Sequence, residues 1–526
     1  MLFHTLPFWI FLLVVLPVFF ALRRTSFWIP WLLAASYFFY GWWNPYYLLL
    51  VIYSTTLDYL LVTLMDHSPL PGQGGVAQRD RVLRTTFGVA SALTLALVGG
   101  MLLGPATLRP TCAIFAVLVL LMAVGAWFAN RRIWLLISLI NNLALLLFFK
   151  YARFVIENLN ALLHTAGSTI HLPDPSALMP YHFPYVLPVG ISFFTFQSMS
   201  YTIDFYLGRV ERERNFLRFA TFVCFFPQLM AGPIERAKQM LPQLRKTPEF
   251  RVQNLTDGLS LFLVGLFKKL ALADYLARYV ERVYDNPERF GAPALILATC
   301  AFAWQIFFDF SGYTDMARGV AKMMGFDLVL NFNNPYLATG LGDFWSRWHI
   351  SLSTWFRDYV YIPLGGSRRG KLITYRNLLL TFLISGIWHG ANWTFAIWGL
   401  LHALGVILTR ELERSAFYRN RVPRLVKQTW VFLYVAFAWI FFRAATVSDA
   451  LLIVNRIFHA ASWSSPQIPA LMLVLVGMVW LYQFVFESRL RAALRVSFVR
   501  VTLAVGMILY LCLCSSGGGA FLYFQF

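Results

Sequence analysis

The chain has 526 residues, of which 59% are hydrophobic and only 13% charged, whereas a soluble globular chain carries roughly 25% charged side chains. So few charges cannot coat a water-facing surface of this size, which excludes a soluble multidomain protein, a disordered chain and a coiled coil; five cysteines make no disulfide framework. The net charge of +20 sits in short basic blocks between apolar runs, which is the pattern of cytoplasmic loops at a membrane and not of a nucleic-acid surface. The remaining class is an all-α, polytopic integral membrane protein.

A crossing needs about 20 mostly apolar residues, because each adds about 1.5 Å against a hydrocarbon core about 30 Å thick. In chain order, apolar runs occur at 6–22, 27–43, 46–65, 86–104, 111–129, 133–149, 185–206, 254–272, 292–309, 372–388, 391–409, 429–443, 467–485 and 499–514. Several are short or polar, so the expectation is roughly eleven to fourteen transmembrane or re-entrant helices. The first run has no basic residue before it and no small-residue cleavage site after it, and reads as a retained span. The segment 66–85, with Pro71, Gly72, Gly74 and Gly75, reads as a flexible connector, and 150–184 as a loop. Lys268 and Lys269 inside an apolar run predict an amphipathic or broken helix.

Charge also orients the chain. Arg23 and Arg24 follow the first run and Arg79, Arg81 and Arg84 the third, which puts both loops in the cytoplasm and the amino terminus outside. Blocks at Arg131–Arg132, Arg209–Arg218, Arg347–Arg376, Arg410–Lys427 and Arg489–Arg500 keep the same alternation, leaving the aromatic tail 517–526 on the outer face.

Polar groups within apolar runs are the informative residues, since an ionisable group at bilayer depth costs a few kcal/mol unless it faces a partner or a cavity. Asp204, Gln305, Asp309 and Asn392 are of this kind, and Ser311 to Asp315 predict a polar break just after Phe310. Taken singly each suits interhelical hydrogen bonding. Of nine histidines, two stand out. His349 lies in the aromatic and basic stretch Asp343 to Ser353, and His389 closes an apolar run in Gly386-Ile387-Trp388-His389-Gly390-Ala391-Asn392. No HExxH pattern or cysteine at ligand spacing accompanies them, so a metal site has little local support. The stretch Gly365-Gly366-Ser367-Arg368-Arg369-Gly370-Lys371 opens like a Walker A loop, but Leu372 stands where Ser or Thr is needed; a Gly-rich basic turn suffices. A desolvated, neutral histidine suits a general base that draws a proton from a hydroxyl. The Asn392 amide or backbone N–H groups near Gly390 are candidate donors to an oxyanion. From residues alone, membrane transport and acyl-transfer catalysis stand as equal readings.

The strings Trp348 to Tyr359, Ile362-Pro363-Leu364-Gly365-Gly366, Arg376-Asn377, Gly386 to Asn392, Phe307 to Tyr313 and the terminal Phe521-Leu522-Tyr523-Phe524-Gln525-Phe526 resemble the membrane-bound O-acyltransferase (MBOAT) superfamily, more narrowly its alginate O-acetyltransferase, AlgI-like branch. The resemblance implies helices around a central funnel, with N-terminal transmembrane helices in 1–149, a catalytic core in 150–410, and C-terminal helices with the outer tail in 411–526; runs 86–104 and 111–129 look like an added hairpin. It implies His389 as the more essential catalytic residue and His349 as its support, with Trp388, Asn392 and Asp309 nearby, and Tyr523 as an acyl relay. Arg357, Arg368, Arg369 and Lys371 become candidate contacts for the phosphates of coenzyme A. The implied reaction moves acetyl from cytoplasmic acetyl-CoA, as substrate and with no bound cofactor or metal, across a bacterial inner membrane for O-acetylation of an exopolysaccharide of alginate or cellulose type. A periplasmic SGNH-type acetyltransferase and exopolysaccharide assembly proteins would be partners, together with membrane lipid and without nucleic acid. The alternatives are acyl transfer from a carrier-protein thioester, as in the teichoic-acid D-alanylation branch, and a non-enzymatic transporter or export scaffold.

Overall fold

A computed structural model describes residues 1–68, 77–103, 109–128, 130–179, 185–459 and 496–513, with scattered positions between 474 and 492. The described residues form helices joined by turns and loops, without strands. The predicted run 467–485, Tyr523 and the tail 517–526 lie wholly or largely outside them. The chain forms two compact units, one made mainly of residues 9–230 and 234–249 and the other mainly of 250–526.

The first unit contains α1 (Leu6–Leu22), α2 (Trp28–Gly41), α3 (Pro45–His67), α4 (Ala77–Leu103), α5 (Arg109–Phe128), α6 (Arg131–Thr165), α7 (Ile191–Tyr206), α8 (Phe216–Cys224), α9 (Phe226–Leu229) and α10 (Ala237–Arg245). Starts are chemically marked: Asn44 caps α3 ahead of Pro45, and Asn130 caps α6, each side chain accepting from a backbone N–H two residues on. The runs at 86–104 and 111–129 are the paired helices α4 and α5, packed along each other. At α6 the structure corrects the sequence reading. The helix has 35 residues, about 52 Å at 1.5 Å per residue, and continues from the apolar run through Lys150 to Thr165, where a loop was expected. Helical hydrogen bonds do not need lipid, and the following chain folds back onto the extension: Arg153 pairs with Asp174 at 3.1 Å, and Asn160 accepts from the Leu172 N–H at 2.8 Å and donates to its carbonyl at 3.0 Å.

The second unit contains α11 (Val252–Phe267), α12 (Asp274–Tyr284), α13 (Ala292–Met323), α14 (Leu341–Arg347), α15 (Ile350–Phe356), α16 (Lys371–His389), α17 (Trp393–Leu412), α18 (Ala416–Arg421), α19 (Arg424–Arg443), α20 (Val447–Phe458) and α21 (Ser497–Leu513). Glycines bring the backbones of α11 and α13 together: a Cβ at Gly258 would lie 2.6 Å from the Gly319 carbonyl oxygen, and one at Gly265 would lie 2.5 Å from that of Gly312. This contact explains a second correction. The expected break after Phe310 is absent, and α13 runs unbroken for 32 residues, because Gly312 serves helix packing there. The helix interruption expected at Lys268 and Lys269 is present as a π turn over Lys268–Ala273. It places the buried Lys269 ammonium 2.6 Å from Asp309 and 2.8 Å from Asp274, while Lys268 reaches Asp315 at 2.7 Å.

Among the described residues five helices are long and apolar enough to span a bilayer: α3, α6, α13, α17 and α19; α1 and α21 are apolar helices of 17 residues each. The chain is therefore a multi-pass membrane protein.

Candidate active site

His349 stands at the joint between α14 and α15, fully buried, with φ +42°. A left-handed backbone is uncommon for a non-glycine residue and persists where surrounding contacts over-determine it. Those contacts come from Asn331. Its Oδ1 accepts from the Ser351 N–H at 3.2 Å and the Ser351 hydroxyl at 2.9 Å, and lies 3.1 Å from His349 Nδ1. The Asn331 backbone carbonyl accepts from the Ile350 N–H at 2.9 Å. An oxygen fixed as an acceptor requires Nδ1 to carry its hydrogen, which leaves the lone pair of the neutral ring on Nε2. Burial pushes the imidazole down from 6.5 to about 3, because a desolvated cation is costly. His349 is thus built as a neutral base with a fixed tautomer. The Phe310 ring stands edge-on at 4.6 Å.

His389 ends α16 and is 5% exposed. Gly390 follows because an added Cβ would collide with the Phe395 ring, and the α16–α17 hairpin closes on Gly386 and Gly399, whose Cα lies 3.1 Å from a Cβ built on Gly386. Aromatic edges surround the imidazole: Trp388 at 4.8 Å, Trp398 at 4.9 Å and Phe442 at 5.4 Å. The two histidines sit in one aromatic cluster, linked through Trp398 and Trp439 at 5.7 Å and Trp439 and Trp348 at 5.2 Å, Trp348 being the neighbour of His349 in the chain.

The other expected residues have more ordinary partners. Asn392 caps α17, accepting from the Thr394 N–H at 3.1 Å and donating to the Ala445 carbonyl at 2.8 Å; one amide hydrogen is committed to structure. Asp309 is engaged by Lys269, and Asp204 by Arg209 at 3.3 Å. The Gly365–Gly370 stretch is a turn, with positive φ at Gly365, Gly366 and Gly370. Arg368 and Arg369 are exposed on it; Arg357 pairs with Asp358 at 2.8 Å and Lys371 with Glu411 at 2.5 Å. Among the described residues no group of three or more His, Cys, Asp and Glu side chains could hold a metal ion.

Three residues were overlooked in the sequence. Asn331 orients His349 from a polar loop with no periodic signal. Asp58 and His402 did carry a signal, since each interrupts an apolar run. Asp58, fully buried, accepts hydrogen bonds from Ser138 at 2.6 Å, from Asn142 at 2.9 Å and from Ser198. His402, also fully buried, packs 4.7 Å from Trp398 on α17.

The family described as "MBOAT, membrane-bound O-acyltransferase family" matches residues 209–448, a range that contains His349 and His389. The peptidoglycan O-acetyltransferase of Helicobacter pylori is 33% identical over 76% of this chain and 83% of its own length. The chain belongs to the membrane-bound O-acyltransferase family. The probable alginate O-acetylase AlgI of Pseudomonas putida is 40% identical over 63% of this chain and 65% of its own length. The teichoic acid D-alanyltransferase of Bacillus subtilis is 32% identical over 44% of the chain and 62% of its length. Relatives named O-acetyltransferase and O-acetylase therefore match more of this MBOAT protein than the D-alanyl enzyme does, and the chain is an acyltransferase.

Proposed function

We propose that this MBOAT protein takes acetyl from cytoplasmic acetyl-CoA and passes it across the inner membrane for O-acetylation of an extracytoplasmic polysaccharide, through a periplasmic SGNH-type transferase. His389 is the principal general base and His349 its support. In the proposed step His389 takes the proton of the Tyr523 hydroxyl. The phenolate oxygen bonds to the thioester carbonyl carbon, the carbon–sulfur bond breaks, and the coenzyme A thiolate leaves and is protonated. The acetyl ester then passes to the partner transferase and on to polymer of alginate or cellulose type. Arg368 and Arg369, exposed on the glycine turn, suit the coenzyme A phosphates, with Arg357 and Lys371 beside them in the sequence.

The observation that carries this reading is the pair of enclosed histidines in one aromatic cluster, one of them held neutral with its tautomer fixed by Asn331. A polar interior that only guides solute needs no such control of a proton. The test is mass spectrometry of the purified chain after incubation with labelled acetyl-CoA. Label on the Tyr523 peptide, absent from His389→Ala, is the expected result. Label gained only from an acylated carrier protein would replace the donor, and normal polymer acetylation by Tyr523→Phe at equal protein level would remove the relay.

A further inference from the structure

His402 lies within α17, inside an aromatic box. Phe344 stacks at 6.1 Å, while Trp345, Trp398 and Trp439 stand edge-on at 4.9, 4.7 and 6.2 Å. Both of its ring nitrogens are buried, and neither has a hydrogen-bond partner among the described residues. The indole nitrogens of Trp345 and Trp398 are in the same condition, and those two rings also touch each other at 5.8 Å. Three mutually contacting rings thus carry four enclosed, unpartnered nitrogens.

A buried polar group without a partner destabilises a fold. Phenylalanine would fill the same box at similar volume without that cost. Packing alone therefore does not account for an imidazole here; its nitrogens are there to meet something. Their chemistry restricts what that is. An indole only donates, and a neutral imidazole donates once and accepts once, so the set offers three donors and one acceptor. Such a set repels a cation, and a full negative charge at this depth would be costly. Uncharged carbonyl oxygens, with at most a neighbouring N–H for the acceptor, match it. Position narrows the choice, because the Trp398 ring that touches His402 also touches His389, at 4.9 Å.

We propose that His402, with the indole N–H groups of Trp345 and Trp398, forms a hydrogen-bonding site for the carbonyl-bearing arm of the acyl donor, holding its amide or thioester oxygen one ring away from His389. The assignment rests on the acyltransferase reading above and adds to it a substrate-touching residue outside the two-histidine pair.

The test compares His402→Phe and His402→Gln with the wild type in the purified full-length chain, measuring thermal melting and acetyl transfer as a function of acetyl-CoA concentration. His402→Phe should melt at or above the wild-type temperature while its KM for acetyl-CoA rises about tenfold or more, the loss expected for one enclosed hydrogen bond. His402→Gln, which keeps a donor and an acceptor, should recover part of that loss. A wild-type KM in His402→Phe would overturn the site and leave the nitrogens to water. So would both variants melting early with equal loss, which is the signature of packing. If the wild-type chain takes no acetyl from acetyl-CoA, the functional reading has failed; a normal KM in His402→Phe within an active protein overturns the His402 assignment alone.

Discussion

The buried polar clusters around Asp58, in one unit, and around His402, in the other, are equally enclosed and close in opposite ways. Both carboxylate oxygens of Asp58 accept from hydroxyls or an amide on α6 and α7, and Asn142 is itself tied to Ser54 at 3.0 Å. His402 is surrounded by rings that offer it no acceptor, and among the described residues its nitrogens have no partner. The first arrangement is complete and fastens three helices. The second is not closed by its own side chains, and on the proposal above the acyl donor completes it. In a membrane interior, satisfaction of hydrogen bonds separates fastening from chemistry better than burial does.

The contrast can be broken by substitution. The largest effect is expected at His389: His389→Ala should lower acetyl transfer by about 10²–10⁴-fold, the usual worth of a positioned general base, with melting close to wild type. Transfer retained at normal protein level would place that cluster alongside Asp58 as fastening. His349→Ala should lower transfer by a smaller factor, measured in the same assay. Asp58→Leu should do the reverse. It strands the donors of Ser138, Ser198 and Asn142 and should cost about 3 kcal/mol of stability, read by thermal or denaturant melting, while transfer per folded molecule stays within about twofold. Removing the Asn392 cap in Asn392→Ala should cost about 1 kcal/mol, with donor KM unchanged. The gentlest effect is on acid sensitivity. Folding holds His349 at about 3 against an ordinary 6.5, so below pH 6.5 the unfolded chain takes a proton that the folded chain refuses, and stability falls as the pH drops toward 3. His349→Gln should flatten that part of the melting curve against pH, and a wild-type slope in the variant would mean that other groups carry it.

Much of the fold, though not this contrast, could be read from the amino acids, for identifiable reasons. Long apolar stretches announce helices, and the run 6–22 coincides with α1. Apolarity could not mark where α6 ends, because Lys150, Arg153 and Glu157 continue a helix whose folded-back partner, Asp174 to Leu172, becomes visible only in three dimensions. The same limit hid the fate of Ser311 to Asp315: polarity suggested a break, while the glycine contact that keeps α13 whole needs α11 beside it. At the site, His349 and His389 stood out through their aromatic and glycine neighbours. Asn331 could not, since its value lies in reaching back across the α14–α15 joint. His402 was legible by the rule that singled out Asp309 and Asn392, a polar residue within an apolar run, and was passed over because no recognisable string surrounded it.

The glycines of α11 and α13 have a consequence for how this chain can vary in length. Gly258 meets Gly319 and Gly265 meets Gly312, so the two notches on each helix share one seven-residue spacing and act as paired teeth. Inserting or deleting a single residue between them would turn the rest of the helix by about 100° and disengage the second tooth. It would also carry Lys269 away from Asp309, leaving a charge stranded in the interior. Apolar side chains along these helices can be exchanged for one another; their reading frame against each other cannot slip.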